Sequence, residues 1–149
     1  MAGLCAKSEQ CEFDIRTKLN RTTLSTSDKN EIINFLLDNK FIDHTRFCGS
    51  FIRDKIRFSK WGRLKIKYHL ASKRIPTSVF IPLLDEIDEE LYMESALSIL
   101  ASKSKGLDLR KREDVAKLYR LLSSRGFESA VITKAIKQLR LKQEDHEAE

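Results

Sequence analysis

Only 5 glycines and 2 prolines punctuate this chain of 149 residues, so left-handed turns and helix breaks are few. No apolar run approaches the roughly 20 residues that cross a bilayer, and no basic-then-apolar leader opens the chain. The expectation is a cytoplasmic protein without membrane contact. Cys5, Cys11 and Cys48 lack CxxC spacing and the three histidines, His44, His69 and His146, are scattered. Neither set suggests a metal site, and the thiols are expected to be free and mostly buried. No GxxxxGK[ST], HExxH or GxSxG motif occurs, so neither an enzyme nor a cofactor is expected.

What the chain does contain is helix formers. Leu, Ile, Lys, Glu and Asp abound and 41% of residues are hydrophobic, which suits an all-α protein with a real core. An apolar pair four residues apart, followed by a connection and a third apolar residue, occurs three times: Ile15, Leu19 and Leu24; Ile66, Leu70 and Ile75; Leu118, Leu122 and Phe127. The copies stand 51 and 52 residues apart at every position. A repeat of constant length accounts for this spacing. We therefore expect three tandem three-helix modules forming an elongated, curved, solenoid-like chain. Their bounds are 1–40 with a shortened first helix, 41–87, and 88–142, followed by a frayed polar tail over 143–149.

Helix signals fit these modules. Asp43 reads as an N-cap before Phe47, Phe51, Ile52 and Ile56, which face inward. Pro76 suits a helix start ahead of Phe80, Leu83, Leu84 and Ile87, whereas Pro82 strains that helix unless it lies in the first turn or marks a kink. Gly126 fits a left-handed C-cap.

Charge is unevenly spread along the chain. Arg53, Lys55, Arg57, Lys60, Arg63, Lys65, Lys67, Lys73 and Arg74 face one acid, Asp54, while Asp85, Glu86, Asp88, Glu89, Glu90 and Glu94 have no base among them. With a net charge of +6, the basic run favours a polyanionic partner. With Ile66 and Leu70 turned to the core, Arg63, Lys67 and Arg74 fall on one flank and Lys65, His69 and Lys73 on the other. Arg63 and Lys67 should then tolerate charge reversal without loss of fold. Trp61 and Tyr68 have the chemistry to stack on unpaired bases, but the expected role of both is in the core, with the Tyr68 hydroxyl reaching water. Phe41, Phe47, Phe51 and Phe58 are assigned to packing.

From about Leu4 to Leu139 the sequence resembles the RecX regulatory proteins. The likeness rests on "CEFDIRTKL", "FIDHTRFCGSFIRDKIRFSKWGRLKIKYHLASKRI" and "KLYRLLSSRGFESAVITKAI". In the middle stretch Ile42, Asp43, Arg46, Phe47, Phe51, Arg53, Gly62, Ile66, Leu70 and Ile75 fall where that family's pattern places them. The resemblance implies a non-enzymatic, monomeric regulator that docks in the groove of a RecA filament on single-stranded DNA. It would damp recombination, ATP hydrolysis and repressor cleavage, and so modulate DNA repair and the SOS response. The residues expected to meet RecA or DNA are Arg53, Arg57, Lys60, Arg63, Lys65, Lys67, Lys73 and Arg74. Two positions depart from the family pattern, since Thr23 and Arg74 stand where a glycine often precedes a module's third helix. A left-handed residue other than glycine costs on the order of 1 kcal/mol, so either these turns differ or Arg74 is kept for a contact. The rival reading is a helix-turn-helix protein that binds duplex DNA directly, against which the 62–65 turn offers charge but little base-reading chemistry.

Overall fold

The computed structural model describes residues 1–148, and among them the regular structure is helical throughout. The α-helices are α1 (Ala2–Lys7), α2 (Glu12–Leu19), α3 (Thr26–Asp38), α4 (His44–Asp54), α5 (Arg63–Ser72), α6 (Thr77–Asp85), α7 (Glu89–Lys103), α8 (Arg112–Ser124) and α9 (Ser129–Ala148). A π-helical segment, Lys55–Ser59, follows α4 directly. The all-α expectation therefore holds.

Local chemistry sets the helix ends. Ser25 accepts the Asp28 N–H at 3.1 Å and opens α3, Asp43 accepts the Arg46 N–H at 2.9 Å and opens α4, and Asp88 accepts two N–H groups at the start of α7. Each bond satisfies a backbone donor that the first helical turn leaves unpaired. Pro76 precedes α6, but Pro82 lies inside it. Its missing N–H leaves the Ser78 carbonyl without an intrahelical partner, and the helix ends three residues later.

The described chain divides into two compact units, one comprising 1–53 with 69–85 and the other 54–68 with 86–149. In the first, Ile15 and Leu19 of α2 pack with Ile33 and Leu36 of α3 and with Ile42. Cys11 and Cys48 are fully buried in the same unit. In the second, Tyr92, Ala96, Ile99 and Leu100 of α7, Leu118 and Leu122 of α8, and Ile132, Ala135 and Ile136 of α9 close around Phe127. The Tyr92 and Phe127 rings meet at 5.2 Å.

The repeated apolar pairs are all buried, and so are Ile75 and Phe127. Leu24 is the exception, 40% exposed: the turn before α3 contains no left-handed residue, and Ser25 caps the helix. Arg74 does adopt the left-handed conformation at φ 59°, as do Lys40 at 56° and Lys60 at 53°. The turn at Thr23 thus differs, while Arg74 keeps its strained backbone and places its guanidinium 5.6 Å from the Phe13 ring. Residues 143–148, read from sequence as a frayed tail, continue α9, since Gln, Glu and Ala are good helix formers and no glycine or proline stops them.

Candidate functional site

The second unit's contribution to the basic run is 54–68, which holds Lys55, Arg57, Lys60, Arg63, Lys65 and Lys67 against Asp54. Backbone contacts fix where this segment ends. The Gly62 N–H donates to the Arg125 carbonyl at 2.8 Å and the Leu64 N–H to the Gly126 carbonyl at 2.9 Å. A Cβ on Gly62 would stand 2.3 Å from the Gly126 backbone, and one on Gly126 would stand 2.4 Å from Lys65. Only a pair of glycines permits this approach, and Gly126 also needs its φ of 91°.

Arg63 braces the same junction. Its backbone N–H donates to the Tyr92 hydroxyl oxygen at 2.9 Å, and that hydroxyl donates to the Glu128 carboxylate. The guanidinium binds Glu128 at 2.9 Å and Glu89 at 2.5 Å and lies 4.1 Å from the Tyr92 ring centroid. Partial burial works against the arginine's charge, yet the bonds to Glu128 and then Glu89 outweigh it and raise its pKa. Burial, reinforced by the bond to Glu128, raises the Tyr92 phenol's pKa, so it stays protonated as a donor. The Arg63 side chain is only 16% exposed. This corrects the expectation that Arg63 merely flanks the seam: reversing its charge would set a carboxylate against Glu89 and Glu128.

The other expected residues differ in their settings. Arg53, Arg57, Lys67 and Arg74 are exposed. Lys60 is half-buried and donates to Ser98 Oγ at 2.5 Å. Lys73, in the first unit, is tied to Asp14 at 2.7 Å and lies 5.9 Å from the Phe47 ring. Lys65 meets Lys55 on one ring, their ammonium groups lying 4.5 and 4.6 Å from the Trp61 centroid. The structure therefore gathers Lys55, Trp61 and Lys65, and commits Arg63 and Lys73 to internal ion pairs.

Two aromatic assignments are overturned. Phe58 is 72% exposed and Tyr68 is 71% exposed, so neither is a core residue. Leu64, one turn before Tyr68, is also exposed. The cause is register. Once Ile66 and Leu70 are buried, positions 64, 67 and 68 turn outward on α5, and Phe58 lies past the end of α4 in the π-helical segment, none of whose residues is buried. The spacing on α5 was readable, and the pull of aromatic residues toward the core obscured it. Among the described residues no group of three or more His, Cys, Asp or Glu side chains is placed to hold a metal ion, and no helix is long and apolar enough to cross a membrane.

A family model described as the second three-helix domain of RecX matches residues 43–79. Regulatory protein RecX of Clostridium beijerinckii is 32% identical over 137 residues, covering 89% of this chain and 63% of that protein. Its counterpart in Vibrio campbellii is 25% identical over 133 residues, covering 89% and 84%. The chain thus spans less than two thirds of the clostridial relatives' length. The crystal structure of RecX from Lactobacillus salivarius shares the fold, with a TM-score of 0.80 at 21% identity over 93% of this chain and 91% of that one.

Proposed function

Because the chain belongs to the RecX family of regulatory proteins, we propose that it acts as a monomer in the cytoplasm on RecA, binding the RecA filament on single-stranded DNA and restraining it. The protein is a regulator rather than an enzyme. Restraint would extend to recombination, ATP hydrolysis and repressor cleavage, and through them to DNA repair and the SOS response. The observation that carries this reading is the family likeness over nearly the whole chain, in which the matched middle stretch contains the basic run. Its physical support is the exposure of Arg53, Arg57, Lys67 and Arg74 and the pairing of Lys55 with Lys65 on Trp61. Cations so placed gain binding energy by displacing counterions from a phosphate chain, or by meeting an acidic protein face. Arg63 is held by Glu89 and Glu128 within the second unit, and Lys73 by Asp14 within the first. We retain three tandem modules, 1–40, 41–87 and 88–142, as the proposed organisation.

The test is RecA's DNA-dependent ATP hydrolysis with and without the protein. Inhibition, weakened by Lys67→Glu, is expected. No effect at molar excess would refute the reading, and tight binding to duplex DNA without any effect on RecA would replace it with direct duplex recognition.

A further inference from the structure

Phe58 and Tyr68 are at odds with their surroundings. Exposed singly, such rings would need no explanation, but here both sit in the most basic stretch of the chain. The Arg57 guanidinium lies 5.3 Å from the Phe58 ring centroid. Lys67, exposed, adjoins Tyr68 and is three residues from Leu64 on α5. Lys55 and Lys65 are held over Trp61, which fixes two long, flexible side chains before any ligand arrives.

A protein partner would ordinarily meet an apolar patch whose core is depleted of lysine. The Arg57 guanidinium over the exposed Phe58 ring, in a segment this basic, instead suits a ligand that offers negative charge and flat apolar faces together. Unpaired nucleotides have both. A duplex presents only base edges and backbone, so its base faces are out of reach.

We propose that Phe58 and Tyr68 form a base-stacking platform for single-stranded nucleic acid, with Lys55 and Lys65, anchored on Trp61, contacting its phosphates. This deepens the reading above and rests on it for the strand's presence, but its chemistry is testable separately. Stacking is sequence-tolerant and adds to affinity independently of salt, whereas phosphate contacts set the salt dependence.

The experiment is fluorescence anisotropy with labelled oligothymidylate and with an abasic strand of equal length, run beside the RecA hydrolysis assay. The native protein should bind oligothymidylate more tightly than the abasic strand, by about 5-fold or more for each ring engaged. Phe58→Ala with Tyr68→Ala should erase that preference, keep the salt dependence, and retain native circular dichroism because both rings are exposed. Equal binding of both strands by the native protein would overturn the proposal. So would a native protein that binds neither strand yet inhibits RecA through these two rings, which would place them on a protein surface and leave the regulatory reading intact. A base-dependent preference without any effect on RecA would uphold the platform and refute the regulatory reading.

Discussion

Replacing Gly62 by alanine is the sharpest test of how the basic segment is held. The added Cβ would lie 2.3 Å from the carbonyl carbon and oxygen of Gly126 and from the Phe127 nitrogen. All three are backbone atoms, so no side chain can swing aside, and relief requires separating α5 from the turn between α8 and α9. Overpacking of this kind costs about 1–3 kcal/mol. The separation also breaks the bonds from Gly62 and Leu64 to Arg125 and Gly126, each worth about 1 kcal/mol. A total near 3–5 kcal/mol follows, which for a chain of this size lowers the melting temperature by about 6–20 °C. Gly49→Ala is the control. Its Cβ would meet only the movable Arg53 guanidinium, at 3.2 Å, and within α4 the exchange should gain about 0.5–1 kcal/mol. Thermal unfolding followed by far-ultraviolet circular dichroism reads both. A Gly62→Ala protein that melts like the native one would mean that the two glycines do not touch.

Other outcomes follow from the same geometry. Leu70→Ala and Leu122→Ala, both at fully buried sites, should each cost about 2–5 kcal/mol in denaturant unfolding. Lys40→Gly should stabilise by about 1 kcal/mol, since its φ of 56° suits glycine better, and an unchanged unfolding midpoint would count against the left-handed turn. Burial pushes the Cys11 thiol up to about 11, and burial with neighbouring Cys11 does the same to Cys48. Because the folded state then holds protons that the unfolded state releases from about pH 9, stability should be full below pH 9 and fall as the pH rises toward 11. Titrating unfolding across that range checks the sign, and replacing both thiols by alanine should flatten the curve. On single-stranded DNA, Lys67→Glu should make the salt dependence shallower by about one contact, whereas Glu90→Lys should leave affinity equal or higher.

Much of this was legible in the sequence because the apolar signal is periodic. The four-residue spacing of Ile66 to Leu70 and of Leu118 to Leu122 fixes a buried helix face whatever surrounds it. Left-handed turns were legible in part: Gly126 announces one, but Arg74 adopts one at an energetic cost that no propensity foretells. Arg63 was misread because its partners, Glu89 and Glu128, lie 26 and 65 residues away, and a charge run reveals sign, not pairing. Leu24 sits in register with Ile75 and Phe127 yet faces water, since sequence spacing does not fix the conformation of the turn before it. Tyr68 shows the opposite error, in which residue type outweighed the helix phase that placed it outside, and Phe58 lies in a π-helical segment that the α-helical period does not describe.

The junction of Gly62 and Gly126 also imposes an order on synthesis. The residues that present Lys55, Phe58, Trp61, Lys65 and Tyr68 emerge from the ribosome early, but the carbonyls that receive α5 belong to Arg125 and Gly126, about 60 residues later. The hydrophobic cluster of that unit likewise comes from 92 onward. A nascent chain halted before Arg125 therefore carries the entire basic segment without the anchor that sets its geometry. Chains truncated before that point should keep the charge of the segment but lack the backbone contacts that order it.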